Sequence, residues 1–148
     1  MNMKIVIEKA KRKLTVVEQE TVMFACSVAL GFSPVGSKER EGDGRTPEGQ
    51  YRVCLKKMGK YGPSLGINYP SVCDALRLGA DEELLRCIRE REVQGLRPPW
   101  GSFMGGEIYI HGGGAQRNWT AGCIALEDAD AERLYAICDE GAEVEIRP

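Results

Sequence analysis

Residues 31–49, GFSPVGSKEREGDGRTPEG, hold five glycines, two prolines and many charges. Glycine and proline both interrupt regular structure, so no helix or strand runs through this stretch. It reads as a long ordered loop. The fold must therefore be built from short segments on either side. A loop of this length inside a compact domain is commonly functional.

The flanking segments have mostly the period of β-structure. Over residues 3–8, Ile5 and Ile7 share one face, with Lys4 and Glu8 on the other. Residues 14–17 and 21–30 predict two more strands, joined by a turn at 18–20, to make an opening meander. After the loop, Tyr51, Val53 and Leu55 alternate again, and residues 59–70 read as a second loop. Asp81 caps a predicted helix that runs to about Glu92, with Leu84, Leu85 and Ile88 as its apolar stripe. Residues 97–106, with Pro98 and Pro99, read as loop. Residues 107–111 predict a strand with Ile108 and Ile110 on one face and Tyr109 and His111 on the other. Asp128 is expected to cap a second helix that buries Leu134 and Ile137 and stops at Gly141; Val144 and Ile146 predict a last strand. The expectation is a single domain over residues 1–148, mainly β or α+β, with two or so helices attached to mixed sheets.

Bulk properties narrow the function. A formal charge of −2 argues against a general nucleic-acid binder. The basic cluster Lys9, Lys11, Arg12 and Lys13 reads as a solvated turn between strands. No stretch is long and apolar enough for an integral membrane segment. Residues 1–13 are basic but lack the apolar core of a signal peptide, which suits a cytoplasmic protein or the mature part of an exported one. Six cysteines stand at 26, 54, 73, 87, 123 and 138 without a CxxC pair, beside a single histidine, so neither a structural zinc site nor a disulfide scaffold is expected. Cys26, Cys54 and Cys87 lie in apolar patterns and read as small buried hydrophobes.

Chemistry concentrates in residues 108–126, IYIHGGGAQRNWTAGCIAL. The only histidine, His111, ends a predicted strand, and Cys123 follows twelve residues later. The polar, glycine-rich connection between them can fold back. A thiol reacts as thiolate, and an adjacent imidazole can take its proton and return it to a leaving amine. On this reading His111 and nearby N–H groups favour the Cys123 thiolate. Gly122 allows a tight turn and close approach of substrate to backbone donors that would hold an oxyanion. On spacing alone a second reading stands equally: a strand-end histidine and an inert core thiol. A serine-hydrolase reading of HGGG fails for want of a G-x-S-x-G elbow. Gly112–Gly114 is no phosphate loop, because no Gly-Lys follows. The sequon Asn118-Trp119-Thr120 carries little weight.

The combination His111-Gly112, then Thr120-x-Gly122-Cys123-Ile124-x-Leu126, resembles the signature of the L,D-transpeptidase (YkuD-like) catalytic domain. So does the upstream Gly36-x-Lys38 with Gly42-Asp43-Gly44-Arg45-Thr46-Pro47-Glu48-Gly49-x-Tyr51. The likeness covers most of the chain, apart from about residues 72–100. It implies a mixed, mainly β fold, no cofactor and no metal, and peptidoglycan stem peptides as partners, in the cell envelope or periplasm. It implies Cys123 as nucleophile and His111 as base, with Gly112, Thr120 and Gly122 shaping the turn and oxyanion site. A backbone carbonyl near Thr120 would orient the imidazole. The commonest family motif reads Ser-His-Gly-Cys-x-Arg; here Ala121 and Ala125 replace its His and Arg. The substrate cation must then come from elsewhere, with Arg117 and Arg45 as candidates and Gly113 beside them, or the site manages without one. This variant branch leaves a hydrolase (an L,D-carboxypeptidase, amidase or endopeptidase) as the alternative to a transpeptidase. A non-catalytic envelope-binding domain and a thiol enzyme unrelated to the cell wall are further alternatives. Oligomeric state is not legible.

Overall fold

The period-2 pattern at the start of the chain forms strand β1 (Met3–Glu8), which buries Ile5 and Ile7 completely. Strands β2 (Lys13–Glu18) and β3 (Thr21–Ser27) follow as antiparallel partners. Gln19 and Glu20, both at positive φ, make the tight turn between them. In this computed structural model, which describes residues 3–148, the remaining strands are β4 (Gly49–Gly59), β5 (Gly62–Ile67), β6 (Tyr109–His111), β7 (Ile124–Ala125) and β8 (Glu143–Arg147). They form one eight-stranded mixed sheet in the order β3-β2-β1-β8-β4-β5-β6-β7. Among the described strand pairs, β1/β8 and β6/β7 are the parallel ones. Beyond β3, Ala29 makes an antiparallel bridge to Ala125 of β7, so the two edges of the sheet meet and curve it around the core. That core joins Leu14, Val16, Val53, Leu65, Ile67, Ile110, Ile124, Val144 and Ile146.

Three helices attach to this frame. α1 (Val72–Leu78) starts with a capping box in which Ser71 and Asp74 satisfy each other's backbone N–H. α2 (Glu82–Gln94) is capped by Asp81 and packs on α1. α3 (Asp128–Ile137) lies on β5 and β6. Among the described residues no helix is long and apolar enough to cross a membrane.

Several expectations need correction. The strand anticipated over 21–30 stops at Ser27, because Val28 turns to donate to Arg12 O and Ala29 crosses to β7. Residues 59–70 are not all loop: β4 and β5 are a hairpin whose turn is Lys60-Tyr61, with Gly59 paired to Gly62. Gly62, Pro63 and Gly66 obscure the Leu65/Ile67 alternation in the sequence. Asp128 does not cap α3; Glu127 occupies that position without a side-chain bond, and Asp128 accepts from Gly113 N–H instead. The helix ends at Cys138, and Gly141 falls in the following turn, donating to Val53 O. Cys26, Cys54 and Cys87 are only half-buried; the fully enclosed thiol is Cys138, and all six cysteines are free. The basic cluster is not uniformly solvated. Lys9 is buried, and its ammonium donates to Gly36 O (2.9 Å), Thr46 O (2.7 Å) and Glu48 Oε2 (3.1 Å), which ties the end of β1 to the 31–49 loop.

Candidate active site

Parallel pairing of β6 with β7 sets Ile110 opposite Ile124 and His111 opposite Ala125. Cys123 immediately precedes β7, so the cysteine lies at the entry to the strand beside that of the histidine, two steps from it in register. The thiol is held at the start of β6: Sγ accepts from Tyr109 N–H at 3.3 Å and donates to Glu107 O at 3.5 Å. Glu107 itself has a positive φ of 55°, strained for a residue with a Cβ, and β6 begins only after it. Among the described residues, no hydrogen bond joins the His111 ring to the sulfur.

His111 is buried at 5% exposure, and its Nδ1 lies 2.6 Å from Gly112 O. A carbonyl only accepts, so Nδ1 carries the proton and Nε2 presents a lone pair. The ring stacks on Tyr61 at 4.7 Å between centroids and meets the edge of Trp119 at 5.9 Å. Burial lowers the imidazole pKa, partly opposed by the Gly112 bond. The orienting carbonyl is therefore that of Gly112, not one near Thr120; Thr120 O is occupied by Phe32 N–H at 2.8 Å. Gly112 has no room for a side chain, since a Cβ there would lie 2.6 Å from Asp128 Oδ1.

Two threonines hold the turn before the sulfur. Thr120 Oγ1 donates to Cys123 O (2.7 Å) and accepts from Gly122 N–H (3.1 Å). Thr46 Oγ1, from the long loop, donates to Gly122 O (2.9 Å) and accepts from Gly31 N–H (3.0 Å). Gly122 has φ +142°, and a Cβ there would meet Arg45 O at 2.8 Å, so only glycine lets the loop and the turn come together. The Gly122 amide is thus consumed, whereas no described residue accepts from the Cys123 amide. Burial pushes the Cys123 thiol pKa up; the Tyr109 N–H and then the Lys38 ammonium oppose it, and the Glu107 charge adds to it. Burial thus works against the thiolate that the sequence reading expects His111 and nearby N–H groups to favour.

The remaining sequence candidates divide between two places. Gly113 and Arg117 line a cleft of about 490 Å³ with Tyr61, Trp119 and Glu127, on the side of the His111 ring. Cys123 is not among the residues lining it. Arg117 is exposed there, and Gly113 N–H is committed to Asp128 Oδ1. The Arg45 side chain lies over Gly36 and pairs with Glu39 at 3.4 Å, while its carbonyl oxygen packs close to Gly122. Tyr61, Trp119, Lys38, Thr46 and Glu107 were not identified as site residues from sequence. Thr46 had a readable signal, a lone hydroxyl within the GDGRTPEG motif. Tyr61 had none, because its hairpin was not recognised. Among the described residues no group of three or more His, Cys, Asp or Glu side chains is placed to hold a metal.

A family model described as the L,D-transpeptidase catalytic domain (YkuD) matches residues 2–146. The chain belongs to that family. Solved structures of similar fold include the helical cell shape determining protein Pgp2 (K307A mutant) from Campylobacter jejuni, with a TM-score of 0.67 and 25% identity over 98% of this chain and 46% of that one. An L,D-transpeptidase (residues 123–326) from Xylanimonas cellulosilytica superposes at 0.63 with 14% identity, over 98% and 60%. One from Mycobacterium tuberculosis superposes at 0.60 with 16% identity, over 99% and 57%. The chain spans roughly half the length of these structures. No curated protein matches it. Within this L,D-transpeptidase domain, Ala125 has no exposed surface and exchanges both backbone hydrogen bonds with Ala29. The position that resembles the family's arginine is therefore sealed inside the sheet closure.

Proposed function

We propose that the chain is a cysteine acyl-transfer enzyme acting on peptidoglycan stem peptides, as an L,D-transpeptidase. The observation that supports this most is the strand pairing that brings a histidine with a free Nε2 beside a Gly-Cys turn, in a chain of this family. For reaction, the Cys123 sulfur leaves its Glu107 contact by rotation about Cα–Cβ and gives its proton to His111 Nε2. The sulfur attacks the carbonyl carbon at the L-centre of the third stem residue. The Cys123 N–H, free of other partners, receives the developing oxyanion. The C–N bond breaks, the imidazolium returns its proton to the leaving D-amino acid, and a thioester remains. An amine of a second stem gives a proton to the imidazole, attacks the thioester and displaces the sulfur, which regains its proton.

Hydrolysis is the second reading. It rests on the variant motif, in which Ala125 stands where the family's commonest motif has arginine. Intact-protein mass after exposure to a carbapenem-type β-lactam tests the shared first half. A covalent adduct in the parent chain and none in Cys123→Ala is the expected outcome; no adduct in either removes the proposal. Product masses from a stem tetrapeptide, with and without an added amine, separate transfer from hydrolysis.

A further inference from the structure

Lys38 is an unusual residue for a glycine-rich loop. Its side chain is only 3% exposed, and its Nζ donates to Asp43 Oδ1 at 2.9 Å. An ammonium has three N–H donors. Among the described residues, this is the one acceptor that Nζ engages. The aliphatic stem passes under Gly105, where a Cβ would come within 3.3 Å of Lys38 Cε. Two residues further on, Glu107 O accepts the Cys123 thiol. The ammonium thus lies behind the segment that cradles the sulfur. Its positive charge opposes the upward pull of burial on the Cys123 thiol pKa.

The charges around both groups are few. Lys38 and Glu107 act on the sulfur, and the His111 ring stands on the adjoining strand. The ammonium faces Asp43, with the Glu41 carboxylate beside Gly105. Arg77 and Tyr69 donate to the Lys38 carbonyl. In an enclosed setting a fixed positive charge is poorly screened and favours the ionised form of a nearby acid.

We propose that Lys38 is a positioning residue for the nucleophile: its ammonium, anchored by Asp43 behind the Gly105–Glu107 turn, stabilises the negative charge that appears on Cys123 sulfur when the thiol proton passes to His111. The inference rests on Cys123 being the nucleophile. It gives the Gly36-x-Lys38 and Gly42-Asp43-Gly44 segments a joint electrostatic task at the site.

The test is the pH dependence of Cys123 alkylation by iodoacetamide, followed by peptide mass spectrometry so that the other five cysteines do not interfere. It needs no peptide substrate, so its failure is distinct from failure of the β-lactam test. In Lys38→Gln, which still donates to Asp43, the midpoint should rise by about one pH unit. That is about a tenfold slower reaction near neutrality, with the high-pH plateau unchanged. Lys38→Arg should restore the parent midpoint. Asp43→Asn removes the counter-charge, so its midpoint should not rise. A merely structural ion pair predicts the same upward displacement from either side. The proposal is overturned by an unmoved midpoint in Lys38→Gln, by no recovery in Lys38→Arg, or by a rise in Asp43→Asn. Should Lys38→Gln not fold, the direction in Asp43→Asn alone still decides.

Discussion

With Nδ1–H bound to Gly112 O, His111 has one nitrogen left for chemistry. Burial holds its pKa below the ordinary 6.5. The neutral base therefore persists to lower pH in the folded chain than in an unfolded one. The acid limb of kcat/KM should be centred below pH 6.5 and be absent in His111→Gln, where only residual activity remains. The linked stability has the same sign. It is fully present above the unfolded pKa and falls as pH drops through the folded one, because the unfolded ring binds the proton more readily. Cys123→Ala should abolish acylation at a stability cost under about 1 kcal/mol, measured by urea unfolding, since this half-buried thiol packs little. Lys9 shows where single residues were illegible. In sequence it belongs to a basic run, and nothing local distinguishes it from Lys11. Its burial is decided by three acceptors, all contributed by residues 36–48.

The 31–49 loop is a scaffold in its own right. Asp43 organises it by accepting from the backbone N–H groups of Glu39, Arg40 and Arg45 and from Lys38. Burial would raise its pKa, but these donors prevail and hold it at about 2, below the ordinary 3.8. This contributes about 2 kcal/mol at neutral pH that is lost as pH falls from the unfolded value through the folded one. Thermal scans of the parent and Asp43→Asn should converge over that window. Thr46→Val leaves the Gly31 N–H and the Gly122 carbonyl enclosed and without partners, at about 2–4 kcal/mol, and should slow β-lactam acylation by loosening the turn. Ala125→Arg should not recreate a substrate clamp. It forces a guanidinium into a fully enclosed site and should cost more than about 3 kcal/mol in chemical denaturation. The long loop was legible because glycine and proline announce it. The β4–β5 hairpin was not, since Gly62, Pro63 and Gly66 announce a loop equally well where the chain forms an enclosed strand.

At the scale of the molecule, the amphipathic strands and the helix from Glu82 followed directly from periodicity, because one face of each is enclosed. The pairing of β6 with β7, on which the site depends, was reachable only through motif likeness. Two residues of β7 carry no period to read. Likewise α1 hides in a segment without an apolar stripe, and its Ser71–Asp74 box was its one signal. The most consequential long-range arrangement is the place of β8. It lies between β1 and β4, parallel to one and antiparallel to the other, and among the described strands it is the one that pairs the opening meander with the rest of the sheet, the far edge closing through the Ala29–Ala125 bridge. Of the described strands, those of the meander are translated first and residues 143–147 last. Until they do, β1 offers a bare backbone edge, and the loop that Lys9 would steady has only half its frame. The thiol at position 123 is therefore translated before the strand that joins β1 to β4, and the sheet that frames it can close only once residues 143–147 have followed.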